Sequence, residues 1–240
     1  MSNFGSDQVA FFLIGGRQLV GALTKFSDKQ MAILEDKTTL GTSWKAAAYV
    51  GVRGVEISQE GFYDDVADGQ HAAMSTGPGI SRVLCYTVEG SATGAEFVGL
   101  TGAIQVDYER QVAIEELHKA KAMYRGVGAR EQGVTIRTYS PVTSTAATTG
   151  GAVDNGASNT SGGAGYVQLT SFAGATQITP RLLDSPDNIT YSALVTFAST
   201  TAGAAPSAER KAIAGAIQRY VAYDASGASG SLAWAGLVRT

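Results

Sequence analysis

A single cysteine, Cys85, stands among 240 residues. One thiol excludes an intrachain disulfide framework and any zinc site built from several cysteines. Histidine is nearly as scarce. His71 and His118 are the whole supply, and neither sits in a His-Glu-x-x-His spacing or pairs with Cys85 in a catalytic arrangement. Charge is also thin: 16% of residues are charged, the net charge is −3 and the pI is near 5.4. That balance excludes a strongly basic, phosphate-gripping surface over the whole molecule. Long apolar runs are missing too. Nothing approaches the about 20 apolar residues of a membrane-spanning helix, so no membrane partner is expected. The opening MSNFGSDQVAFFLIGG has no basic start and only a short apolar stretch, so no secretory leader is expected.

What is present is the material of strands and turns. Thirty glycines and many Ala, Ser and Thr residues accompany only five prolines, and 44% of residues are hydrophobic. A chain of that kind can bury a core and turn often. Alternating segments follow one another: QVAFFLIGG and RQLVGALTKFS around a Gly15-Gly16 turn, then residues 52–63, 80–89, 95–108 and 133–139. Residues 29–50 are less regular and read as a long excursion anchored by Trp44. Segment 109–125 is ambiguous. Ala113, Leu117, Ala120 and Tyr124 recur at helical spacing and Glu115 precedes Lys119 by four, yet HKAKAMYRG also alternates. After Pro141 a Gly/Ser/Thr/Ala tract reads as a linker or long loops, and beyond it the strand rhythm resumes. Residues 1–143 hold 16 acids and 13 bases, whereas residues 144–240 hold five of each. Two β-rich domains meeting near residue 143 are expected.

The search for catalytic chemistry returns nothing. There is no Gly-x-Ser-x-Gly elbow, and GVGAREQG matches neither the dinucleotide fingerprint nor the P-loop. Asp64-Asp65 and Glu115-Glu116 are sequence neighbours, and neighbours on a strand point to opposite faces. Asp107 and Glu109 share a face, but nothing pairs them across a pocket. DSPDN lacks the glycine and closing glutamate of a calcium loop. The reading is therefore no enzyme, no metal and no cofactor.

The stretch KTTLGTSWKAAAYVGVRGVEISQEGFYDD resembles the N-terminal signature of tail tube (major tail) proteins from long-tailed bacteriophages of the siphovirus type. Lys37 to Gly41 matches a Thr-Thr-x-Gly element, and Glu60 to Asp64 matches a strand ending in Glu-Gly-Phe/Tyr-Asp. GGAVDNGASNTSGGAGYVQLTSF, DNITYSALVTF and GAIQRYVAYD look like the β-sandwich that ends many of these proteins. The resemblance implies a mainly β fold: a tail-tube-like sandwich or barrel with a short helix or helical turn, followed by a C-terminal β-sandwich. It implies a turn near 114–117 running into a strand over 118–126. It further implies a structural virion protein whose copies close into rings, normally hexameric, stacked as a conduit for DNA. The partners implied are other copies of the chain, a tape measure protein, a tail terminator and distal tail or baseplate proteins. DNA would pass without sequence-specific binding, and the place of action would be the virion tail, assembled in the host cytoplasm. Residues 1–143 would form ring and lumen. Residues 144–240 would decorate the exterior, or else pack into the wall.

In VRGVEISQEGFYDD, Val55 and Ile57 point one way while Glu56, Ser58 and Glu60 point the other. Asp107 and Glu109 repeat the pattern on another strand. These five are the candidate lumen-facing residues, an acidic wall past which phosphates slide. A solvated outer sheet face carries the same pattern. Trp44, Lys45 and Tyr49 are the candidate arm towards a neighbouring ring, since aromatics are enriched at interfaces. The competing function is a carbohydrate-binding or adhesive β-sandwich, for which Tyr166, Tyr191, Tyr220, Tyr223 and Trp234 are the available aromatics.

Overall fold

Phe11, Phe12, Leu13 and Ile14 leave no polar face, and all four are fully buried. Such a continuous apolar run suits a strand covered on both sides. Its strand, β1 (Phe12–Ile14), lies between two cores, with Phe11 and Leu13 in one and Phe12 and Ile14 in the other. The computed structural model describes residues 11–19, 23–36, 47–63, 71, 74–75, 79–87, 90, 92–112, 117–142, 152–171, 177–201, 204–226 and 231–240. Within them the protein is mainly β, and every described element is a strand. One turn of α type is present, where Ser75 N–H donates to the His71 carbonyl at 2.8 Å.

The Gly15-Gly16 turn joins β1 to β2 (Arg17–Gln18), with both glycines at positive φ. Two long strands follow, β3 (Leu23–Asp36) and β4 (Ala47–Phe62), then β5 (Ser81–Thr87), β6 (Glu96–Gln111), β7 (Lys119–Gly126) and β8 (Arg130–Val142). The segment of conflicting periodicities is therefore strand at both ends, and residues 113–116 lie outside the described set. Residues 31–36 and 47–51 are strand rather than the loose excursion expected of them, though the pairing is irregular, with a register shift between the Ala32–Arg53 and Leu34–Tyr49 pairs. Alanines dilute the alternation there, but the register with the partner strand holds the backbone extended.

Beyond the Gly/Ser/Thr tract come β9 (Val153–Asp154), β10 (Gly163–Ser171), β11 (Gln177–Ser185), β12 (Ser192–Thr196) and β13 (Thr200–Thr201). The chain closes with β14 (Ser207–Ile213), β15 (Tyr220–Ser226) and β16 (Ser231–Arg239). The large sheet runs β14-β10-β16-β8-β6-β5-β1-β2 and curls until the β1–β2 turn meets β10, where Gly16 N–H donates to Gln168 Oε1 at 2.7 Å. Its concave side is filled by Phe97, Tyr166 and Trp234, together with Phe11, Leu13 and Cys85. Burial pushes the Cys85 thiol far up, out of the range where a thiolate forms.

Outside this near-barrel lie two more cores. One is sealed by a second sheet of β9, β11, β12, β13 and β15, where Leu182, Phe197 and Val221 meet Val167, Ala235 and Leu237. The other lies under β3, β4 and β7, where Ile57, Ala122 and Tyr124 meet Leu84, Tyr86 and Leu100. The seam expected near residue 143 falls outside the described residues. Across it, β16 pairs with β8 and β10 pairs with β16, so the C-terminal strands extend the N-terminal sheet. A clamp spans the same line: Glu131 of β8 accepts the Tyr166 hydroxyl of β10 and both nitrogens of the Arg210 fork of β14.

Candidate functional site

Along β4 the side chains alternate without a break: Val55, Ile57 and Gln59 are buried, while Glu56, Ser58 and Glu60 are on the other side. β7 alternates in step, with Ala120, Ala122 and Tyr124 buried. Strands β3, β4, β7 and the second half of β6 thus form a four-stranded antiparallel sheet. One face covers the core and the other is open. All five candidate lumen residues stand on the open face.

The register decides what that face is. Glu60 lies opposite Lys25 on one side and Lys121 on the other, and Lys121 lies opposite Glu109. In the next row Ser27, Ser58, Met123 and Asp107 are aligned, and in the next Glu56 stands between Lys29 and Arg125. The Arg125 Nε sits 3.8 Å from Glu56 Oε2, a solvated contact. The expectation of an acidic wall is corrected here: the carboxylates of β4 and β6 are interleaved with the basic side chains of β3 and β7. Lys25, Lys29, Lys119, Lys121 and Arg125 slightly outnumber Glu56, Glu60, Asp107 and Glu109. Sequence reading missed these bases, although KFSDK and KAKAMYR both carry a period of two.

The buried side is covered by contacts of Met74 and His71. Gln59 Nε2 donates to Met74 Sδ at 2.9 Å, and Gln105 Nε2 donates to the Met74 carbonyl at 2.8 Å. His71 Nδ1 lies 2.8 Å from the Tyr108 hydroxyl and its ring stacks against Tyr63. The turn holding His71 and Met74 therefore seals the core side. Asp28 secures the hairpin from beneath: it accepts the Tyr86 hydroxyl of β5 and Arg130 Nε of β8 at 3.0 Å. Burial and the Asp28 carboxylate push the Tyr86 phenol up, so the hydroxyl stays a donor.

Both borders of this sheet are unpaired by any strand among the described residues. The outer edge of β3 has no partner strand, and β5 stops opposite Ile104; Gly79 N–H still donates to the Gln105 carbonyl at 3.0 Å, and the outer edge of β6 is without a strand beyond that. The ends differ. At one, Phe62, Val112 and Leu117 are exposed around the β6–β7 connection. At the other, β3 and β4 run on together past the last β7 pair at Glu56–Arg125. From Gly54 to Ala47 that extension is about 25 Å long at the usual strand rise.

Of the arm candidates, Trp44 and Lys45 lie outside the described residues, and Tyr49 is placed by its backbone, in β4 opposite Leu34. Of the aromatics available for a glycan platform, most are withdrawn from the surface. Tyr166 and Trp234 are fully buried, Tyr223 packs on a core beneath the Arg137 guanidinium, and Tyr191 and Tyr220 are half-buried. Among the described residues no group of His, Cys, Asp and Glu has the arrangement of a metal site.

No protein-family model matches the chain, and no curated protein does. Similar solved structures include a chain from the tail of an empty gene transfer agent particle with C6 symmetry, at 14% identity and TM-score 0.41. It covers 53% of this chain and 97% of that one. A chain from the virion of a native gene transfer agent particle gives 14% identity and TM-score 0.39 over the same shares. The Dit protein of phage SPP1, described as a hub adsorption apparatus protein of phages infecting Gram-positive hosts, gives 12% identity and TM-score 0.35. That match covers 95% of this chain and 98% of Dit.

Proposed function

We propose that this chain is a structural subunit of a virion tail, polymerising into stacked rings that form a tube for DNA. The observation that carries the reading is the four-stranded sheet whose two borders have no partner strand among the described residues beyond Gln105, with one face wet. Unpaired strand edges are a liability in a monomer and a joining device in a polymer. Two different borders on one sheet make a heterologous contact, and a heterologous contact that closes by rotation makes a ring. Six copies is the number the family resemblance implies. Residues 1–143 supply the ring-forming sheet, and residues 144–240 flank it on the far side of β8, towards the exterior.

In this arrangement Glu56, Ser58, Glu60, Asp107 and Glu109 line the lumen together with their basic neighbours. Strands of alternating sign at the about 4.8 Å spacing produce a field whose alternating part falls nearly threefold with every about 1.5 Å from the surface. A duplex with a phosphate charge about every 1.7 Å then meets a wall that neither binds nor repels it over distance. Low friction follows from cancellation. The projecting β3–β4 hairpin, with Trp44, Lys45 and Tyr49 near its tip in sequence, reaches the next ring, and Phe62, Val112 and Leu117 give the opposite end an apolar seat. A tape measure protein within the tube and terminator and baseplate proteins at its ends complete the proposed tail.

Size-exclusion chromatography with light scattering and negative-stain microscopy over rising concentration tests the reading. Rings or tubes are expected, and a monomer at every concentration overturns it. The lumen assignment has its own test. Because Cys85 is fully buried, a Ser58→Cys variant carries one reactive thiol. A bulky maleimide should label it in dispersed subunits and not in tubes, while Ser158→Cys labels in both.

A further inference from the structure

Gly156 follows Asn155, and no other asparagine of the chain is followed by glycine. In such a step the missing Cβ lets the glycine amide nitrogen swing onto the asparagine side chain. The nitrogen gives its proton to hydroxide and attacks Asn155 Cγ. An N–Cγ bond forms, the Cγ–Nδ2 bond breaks, and Nδ2 leaves as ammonia with a proton from water. Water then opens the resulting succinimide to aspartate or isoaspartate, so water enters, ammonia departs and nothing is oxidised or reduced. The turn is open to this chemistry: Gly156 is exposed with φ at +77°, and a Cβ on it would meet no atom within 4 Å.

The groups the reaction must move are nevertheless held. Gly156 N–H donates to Asp154 Oδ1 at 2.8 Å. A carboxylate on that hydrogen opposes its loss, because the anion left on nitrogen would face a like charge. Arg219 fixes the carboxylate through Nε and Nη2, each at 2.7 Å, and its guanidinium lies 4.9 Å over the Tyr220 ring. The Arg219 carbonyl accepts the Asn155 N–H at 2.9 Å and Asn155 Nδ2 at 3.1 Å, which pins the leaving nitrogen to the start of β15. Arg239 donates to the carbonyls of Asn155 and Ala157, so the backbone is anchored before and after Gly156. We propose that Asn155–Gly156 is a latent site of spontaneous deamidation, kept closed by Asp154 and Arg219. The inference is independent of the ring reading. Its consequence is local, since β9 is only two residues long and sets Val153 into the core under the small sheet. Deamidation would place a carboxylate against the Arg219 carbonyl, and isoaspartate would add a methylene to the backbone next to the Asp154–Tyr220 pair.

Incubating the full chain at mildly alkaline pH, with peptide mapping by mass spectrometry over time, tests the site. Asn159 and Asn188 precede threonine and isoleucine, whose branched side chains hinder the attack, and serve as internal references. The folded parent should deamidate at Asn155 about a hundredfold or more slower than the same chain unfolded in urea. Asp154→Ala and Arg219→Gln should each deamidate there about tenfold or more faster than the folded parent, with no matching rise at Asn159 or Asn188. Both replaced side chains are nearly half exposed, so the variants should fold. Should either fail, Arg219→Lys, which keeps the charge and loses the fork, takes its place. As isoaspartate accumulates at residue 155, amide exchange should quicken in β9. A folded parent that deamidates at Asn155 as fast as the unfolded chain overturns the closed site. Folded variants that stay as slow as the parent overturn the roles of Asp154 and Arg219.

Discussion

The Phe97 ring owes its place to the side chains its neighbours lack. A Cβ on Gly236 would lie 2.5 Å from Phe97 Cε1 and 2.6 Å from Trp234 Cη2, and one on Gly99 would lie 2.7 Å from Tyr166 Cζ. Three large rings fit inside a narrow curled sheet because these positions are empty. Gly236→Ala should therefore cost about 1–3 kcal/mol by overpacking, read as a lowered melting temperature with the fold retained. A second residue-scale expectation concerns pH. The Arg219 fork and the Gly156 amide hold the Asp154 carboxyl down at about 2, below its ordinary 3.8. A carboxylate with a depressed folded-state pKa contributes stability above its unfolded value, and that contribution fades as pH falls through the folded one. The window here is about pH 4 to 2. In Arg219→Gln the Asp154 titration followed by NMR should move back towards 3.8, and the acid limb of unfolding should lose that component.

At the scale of elements, the β3–β4 hairpin is fastened to the rest of the molecule through Asp28. It binds Tyr86 and Arg130, on β5 and β8, from the underside of an edge strand. Asp28→Asn keeps the shape and removes the charge, and should cost about 1.5–3 kcal/mol. Faster amide exchange confined to β3 would mark the loss as local. The clean alternation of β4 makes it legible in the sequence, because one buried face is enough to specify it. β7 was half legible. Its residues satisfy both helical and strand spacing, and the decision came from partners on both sides, β4 and β6, that local propensity does not register. The candidate site was legible as single strands and illegible as a surface. Glu56 is visible in any window, but Lys29 and Arg125 reach it only through pairings 27 and 69 residues away in the chain. Likewise the joining of β16 to β8, through pairs such as Ser231–Val142, has no local signal in the sequence.

On the scale of the whole molecule, the muted net charge recurs on the open face, where five bases stand among four acids. Glu56→Lys with Glu60→Lys would leave seven bases among two acids. Lysines would then face Lys25, Lys29, Lys121 and Arg125, at about 0.2–1 kcal/mol for each like pair. If subunits of this variant assemble, labelled duplex DNA should co-sediment with its tubes at low salt and be released steeply as salt rises. Parent tubes should show neither behaviour, and equal DNA retention by both would remove the electrostatic account of the wall.

The Glu131 clamp and the β8–β16 ladder also bear on how such a protein can be altered. A chain cut after residue 143 would not be a trimmed subunit. It would strip β16 from β8, uncover Phe97 and Cys85, and leave Glu131 without Arg210. Foreign peptides are therefore better borne by a connection of the small sheet such as the Ser185–Tyr191 bend, while the paired strands are inherited whole.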